Sequence, residues 1–81
     1  MSNVTVYGTT WCAFCKAAKN YLDSKHVAYT DINIEQDQQA TELIVEKTKQ
    51  MGVPVIQIGD KFIVGFNKQE LETTLLKEGL L

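Results

Sequence analysis

The sequence predicts an α/β domain of order β-α-β-α-β-β-α, a four-stranded mixed sheet with helices on both faces. Three observations lead there. Short β-branched runs alternate with longer stretches of helical period. The first strand-helix-strand unit requires a parallel pair with a right-handed crossover. Gly59-Asp60 then separates two β-rich runs by the two residues of a tight antiparallel hairpin.

Val4 to Tyr7 alternates apolar with polar residues and reads as a strand ending at Gly8. From Ala13 to Ser24, Cys15, Ala18 and Leu22 share one helical face, with Phe14, Ala17 and Tyr21 on the next, and Cys12 falls at the first turn. His26 stands where a left-handed residue closes such a helix, a structural role. Val27 to Ile34 is the second strand. Asp37 caps a second helix that turns Ala40, Leu43 and Ile44 inward and ends at Gly52. Val53 to Ile58 and Lys61 to Val64 form the hairpin. Asn67 followed by Glu70 fits a capping box for the last helix, whose buried stripe is Leu71, Leu75 and Leu76. Residues 1–81 thus make a single domain, and a monomer is expected.

Composition excludes several function classes. Eight lysines, no arginine and ten acids give a net charge of -2, and the lysines are spread from Lys16 to Lys77 with acids between them, so no nucleic-acid footprint is expected. Apolar runs such as Val53 to Ile56 are too short to span a membrane, and MSNVTVYG carries neither a basic region nor a long apolar stretch for secretion. A cytoplasmic protein is expected. In that reducing compartment two closely spaced cysteines signal metal binding or redox chemistry more than a structural bridge.

The two cysteines, Cys12 and Cys15, stand in the run TWCAFCK. Residues three apart on a helix have Cβ atoms roughly 5–6 Å apart, compatible with the roughly 4.4–6.8 Å Cα separation of a disulfide. A bridge closing so small a loop removes little chain entropy, so it serves poorly as a staple. Cys12, at the helix start, meets unpaired N–H groups and the positive end of the helix dipole, whereas Cys15 lies one turn in. This assigns Cys12 as nucleophile and Cys15 as resolving thiol. Trp11 and Phe14 flank the sulfurs. Trp11 reads as an apolar landing surface for partner proteins, and Phe14 fits surface and core equally well. Lys16 and Lys19 read as solvated lysines.

With this topology, Cys-x-x-Cys after the first strand, Val53-Pro54 opening the hairpin and Gly65 after the fourth strand, the chain resembles the thioredoxin superfamily, and within it the glutaredoxins and glutaredoxin-like redoxins. The resemblance covers essentially the whole chain. It implies a cis Val53-Pro54 bond against the redox pair, and a substrate surface of Trp11, Phe14, Val53, Pro54, Gly65 and Phe66. Glutathione-binding members carry a lysine three residues before the first cysteine, where Thr9 stands here, and Gly-Gly with acidic residues where this chain reads Gly65-Phe66-Asn67-Lys68. Gly65-Phe66 is similar to small redoxins that deliver electrons to ribonucleotide reductase and are reduced by thioredoxin reductase.

The function expected is dithiol reduction of protein or mixed disulfides, with no cofactor required. Glutathione, as co-substrate, and thioredoxin reductase both stand as electron sources. A metal or iron–sulfur module bridging two subunits is the rival reading, and a non-catalytic adaptor is a third.

Overall fold

The computed structural model describes residues 3–49 and 52–81. Seven elements follow in the expected order: β1 Val4–Gly8, α1 Ala13–Ser24, β2 Thr30–Asn33, α2 Gln38–Thr48, β3 Val55–Ile58, β4 Lys61–Val64 and α3 Lys68–Lys77. The sheet order is β2-β1-β3-β4, with β1 parallel to β2 and antiparallel to β3, and β3 antiparallel to β4.

The period of two along the strands sorts side chains into two cores. Val4, Val6, Ile56, Ile58 and Ile63 meet Ala18, Tyr21 and Leu22 of α1 and Leu71 and Leu75 of α3 on one face. Tyr7 and Val55 meet Ala40 and Ile44 of α2 on the other. Two helices therefore cover one face and one helix the other.

Each turn follows from local chemistry. Gly59 takes φ 59° at the first position of the two-residue hairpin loop, a conformation that costs glycine nothing. Asp37 Oδ1 accepts the Ala40 N–H at 3.0 Å, and Asn67 Oδ1 accepts that of Glu70 at 3.1 Å. The Glu70 carboxylate lies 3.9 Å from Lys61 Nζ. His26 closes α1 with φ 58°, and the next N–H, that of Val27, donates to Leu22 O at 3.0 Å.

Three boundaries and one buried position differ from the sequence reading. Strand β2 begins at Thr30 rather than Val27, because the Val27 N–H is used to close α1. Helix α2 ends before Gly52: Lys49 turns left-handed at φ 63° and its N–H donates to Val45 O at 2.8 Å. Strand β3 begins at Val55, since Pro54 has no N–H for a ladder and the Val53-Pro54 bond is cis. Leu76 is 56% exposed. The buried stripe of α3 runs through Leu71, Thr74 and Leu75, and Leu76 lies about 140° around the axis from Leu71.

Adjacent leucines of α3 should therefore behave differently. Leu75→Ala is expected to lower stability by about 2–5 kcal/mol and Leu76→Ala by less than about 0.5 kcal/mol, measured by urea unfolding. Equal losses would contradict this placement of the helix.

Candidate active site

The two cysteines sit at the C-terminal end of β1, where the chain enters α1. Cys12 is the N-cap of that helix, with φ -88° and ψ 114°, and its carbonyl accepts the first intrahelical bond from the Lys16 N–H at 3.2 Å. Its sulfur takes the place that a serine or aspartate oxygen fills at other helix starts, accepting the Cys15 N–H at 3.1 Å. That donor is in place before any chemistry begins. Cys12 is half-buried, while Cys15 is 1% exposed.

Burial pushes the Cys15 thiol up to about 11, and its hydrogen bond and charge interaction with Cys12 add to the rise. The Thr9 backbone N–H and the Lys19 ammonium act in the opposite direction. Lys19 is engaged by Asp31 at 3.0 Å, and Lys16 is exposed. The first sulfur is therefore reachable and hydrogen-bonded, and the second is held as a neutral thiol beneath it.

Gly8 makes this possible. A Cβ at Gly8 would lie 2.5 Å from Cys15 Sγ, closer than real contacts allow, and 3.0 Å from its Cβ, so the bare glycine backbone is what lets Cys15 rest on the end of β1. Gly8 pairs with Asn33 on one side. Continuing the register Val6↔Ile56, Tyr7↔Val55 places Pro54 opposite Gly8 on the other. Pro54 is fully buried and its carbonyl accepts the Gly65 N–H at 2.7 Å, which ties the turn after β4 to the proline. Gly65 itself takes φ 81°.

The remaining sequence-predicted residues divide by exposure. Trp11 is 72% exposed and Phe14 66%, so both belong to the surface beside Cys12 and neither to the core. Val53, Gly65 and Phe66 are half-buried. The Phe66 ring packs on the core at 6.2 Å from the Tyr21 ring. Sequence reasoning missed Gly8, whose signal was a glycine at a strand end four residues before the first cysteine, a mark of close backbone approach. It also missed Glu35, whose carboxylate accepts the Trp11 indole N–H at 3.2 Å across a separation of 24 residues that no local pattern reveals.

Among the described residues no group of three or more His, Cys, Asp and Glu could hold a metal ion. The four thiolates that an iron–sulfur cluster takes are twice what one chain supplies.

The Gly8–Cys15 contact is directly testable. Gly8→Ala is expected to lower stability by about 1–3 kcal/mol, read from the thermal or urea midpoint of the reduced protein, because the new methyl must displace Cys15 or the strand end. A midpoint unchanged from wild type would show that the contact is not tight.

The glutaredoxin family model matches residues 4–63. Over 74 residues the chain is 40% identical to an uncharacterized glutaredoxin-like 8.6 kDa protein in the rubredoxin operon of Clostridium pasteurianum, covering 91% of this chain and 99% of that one. It is 37% identical over 71 residues to the glutaredoxin-like protein NrdH of Lactococcus lactis, covering 84% of this chain and 93% of that protein. Among solved structures, the glutaredoxin of Archaeoglobus fulgidus superposes with a TM-score of 0.80 at 28% identity, over 90% of this chain and 85% of that one. The fold is thioredoxin-like, and with its Cys-x-x-Cys pair at the start of α1 the chain belongs to the glutaredoxin family, as a thiol-disulfide oxidoreductase.

Proposed function

We propose that this chain reduces disulfides of proteins by a two-cysteine route in which Cys12 attacks and Cys15 resolves. The observation that carries the reading is the contrast between the sulfurs, one half-exposed and accepting a backbone N–H, the other buried with its pKa pushed up to about 11. Only the outer sulfur can meet a substrate in line. The Cys12 thiolate attacks one sulfur of the substrate disulfide, the substrate S–S bond breaks, and the leaving thiolate takes a proton from solvent. Cys15 then gives up its proton, attacks Cys12 Sγ, and releases the second substrate thiol. The substrate has gained two electrons and two protons, and the chain holds a Cys12–Cys15 disulfide.

Trp11 and Phe14 form the apolar rim on which the partner polypeptide lies, and the half-buried Val53, Gly65 and Phe66 line its other side, with the buried Pro54 holding Gly65 through its carbonyl. For the return of electrons, the reading favours an NADPH-dependent thioredoxin reductase over glutathione. Thr9 is buried where glutathione-binding members place a lysine, and Lys68, exposed at the start of α3, brings positive charge where those members place acids. The likeness to the NrdH protein of Lactococcus lactis supports the same choice and makes a ribonucleotide reductase a substrate to test.

Cys12→Ser is expected to abolish disulfide reduction, while Cys15→Ser should accumulate mixed disulfides visible as covalent adducts by mass spectrometry. Adducts on Cys15 in the Cys12→Ser protein would reverse the roles. In an NADPH-coupled assay, turnover is expected with thioredoxin reductase. Turnover only with glutathione and glutathione reductase would overturn the assignment of the electron source.

A further inference from the structure

The strongest unassigned feature is the fixed post beside the most exposed aromatic. Trp11 has a single polar group, its indole N–H, and that donor is used on Glu35 Oε2 at 3.2 Å. With 72% of the residue exposed, core packing does not hold the ring, so this hydrogen bond sets its direction.

Glu35 is well placed for that task. Its loop is pinned on both sides. Before it, the Ile34 N–H donates to Gly8 O at 2.9 Å, joining the loop to the strand end that carries the cysteines. The Glu35 N–H donates to Asn33 Oδ1 at 2.9 Å, and the Gln36 N–H to Asn33 O at 3.1 Å, closing a turn around it. After it, Asp37 caps α2, and the Thr41 hydroxyl donates to Ile34 O at 2.8 Å. The Glu35 carboxylate therefore projects from a rigid backbone. It takes part in neither of the ion pairs formed among the described residues, which join Lys19 to Asp31 and Lys61 to Glu70.

We propose that Glu35 is a positioning residue that holds the Trp11 ring beside Cys12, and so makes the site favour disulfides embedded in a polypeptide over small symmetrical disulfides. The inference rests on the reading that protein disulfides are the substrates. The physical reason is reach. A ring adjoining the nucleophile touches what flanks the attacked sulfur, and a polypeptide has flanking residues where a small disulfide has none. A side chain with two rotatable bonds needs little to select one orientation, and an ordered aromatic costs a partner less entropy to engage than a wandering one.

The test compares wild type, Glu35→Ala and Glu35→Gln on insulin and on hydroxyethyl disulfide, after circular dichroism shows all three folded. Glu35→Ala is expected to lower the ratio of kcat/KM for insulin to that for the small disulfide by about threefold to tenfold, mainly through KM for insulin. Glu35→Gln keeps an acceptor oxygen and should restore the ratio to within about twofold. Trp11 is the one tryptophan of the chain, so its fluorescence anisotropy should fall in the alanine variant and recover in the glutamine variant. A ratio and an anisotropy unmoved by Glu35→Ala would overturn the role of Glu35 while leaving protein disulfides as substrates. A glutamine variant matching the alanine one would show that charge acts rather than the hydrogen bond, and would also overturn it. Wild type turning over hydroxyethyl disulfide but not insulin would overturn the reading of protein substrates, and this role with it.

Discussion

The site depends on the close approach of Cys15 to the backbone of Gly8. Because no Cβ stands on Gly8, the first turn of α1 settles onto the end of β1, and Cys15 is buried without any apolar side chain between it and the sheet. The rest is then fixed by register. Asn33 and its turn come to one side of Gly8 through the parallel pairing of β1 and β2, and Pro54 to the other through the antiparallel pairing of β1 and β3. Three loops distant in sequence meet because β2 and β3 flank the same end of β1.

That geometry also gives two chemically identical groups different surroundings. Burial disfavours a charged sulfur, which keeps Cys15 protonated, whereas the half-buried Cys12 sulfur accepts the Cys15 N–H at the helix cap. A pair with equal environments would not distinguish attack on substrate from closure of the internal disulfide. In the proposed reaction the order of events follows from depth. The Thr9 N–H beside Cys15 adds a donor at the sulfur that must later lose its proton, so the environment that delays ionisation does not forbid it.

Much of this was legible in the sequence, for identifiable reasons. The alternation in Val4 to Tyr7, the Gly59-Asp60 link and the caps Asp37 and Asn67 are local signals whose physics acts within a few residues, and each element they announce is present. The start of β2, the end of α2 and the exposure of Leu76 were misread where local preference competes with a neighbour. Val27 looks like strand but gives its N–H to Leu22, and α2 ends on Lys49 before its favoured stop at Gly52. The cysteine pair was plain because spacing alone places both sulfurs at one helix end. Gly8 was read only as a strand end, because its importance lies in what is absent, and the Trp11–Glu35 bond could not be read at all, since it joins two exposed residues through the pairing of two strands.

The exposed aromatics bear on how so small a domain combines folding with the proposed recognition. Its cores are filled by aliphatic side chains, with Tyr21 and Tyr7 at their margins, and do not need Trp11 or Phe14. Leaving two large apolar rings in water forgoes burial that would have stabilised the fold, and in the proposed function a partner polypeptide covers them. A freely moving ring would lose part of the gain from that contact to ordering. In the role proposed for Glu35, anchoring the indole N–H to a carboxylate on a pinned loop meets that loss in advance at the expense of one exposed hydrogen bond.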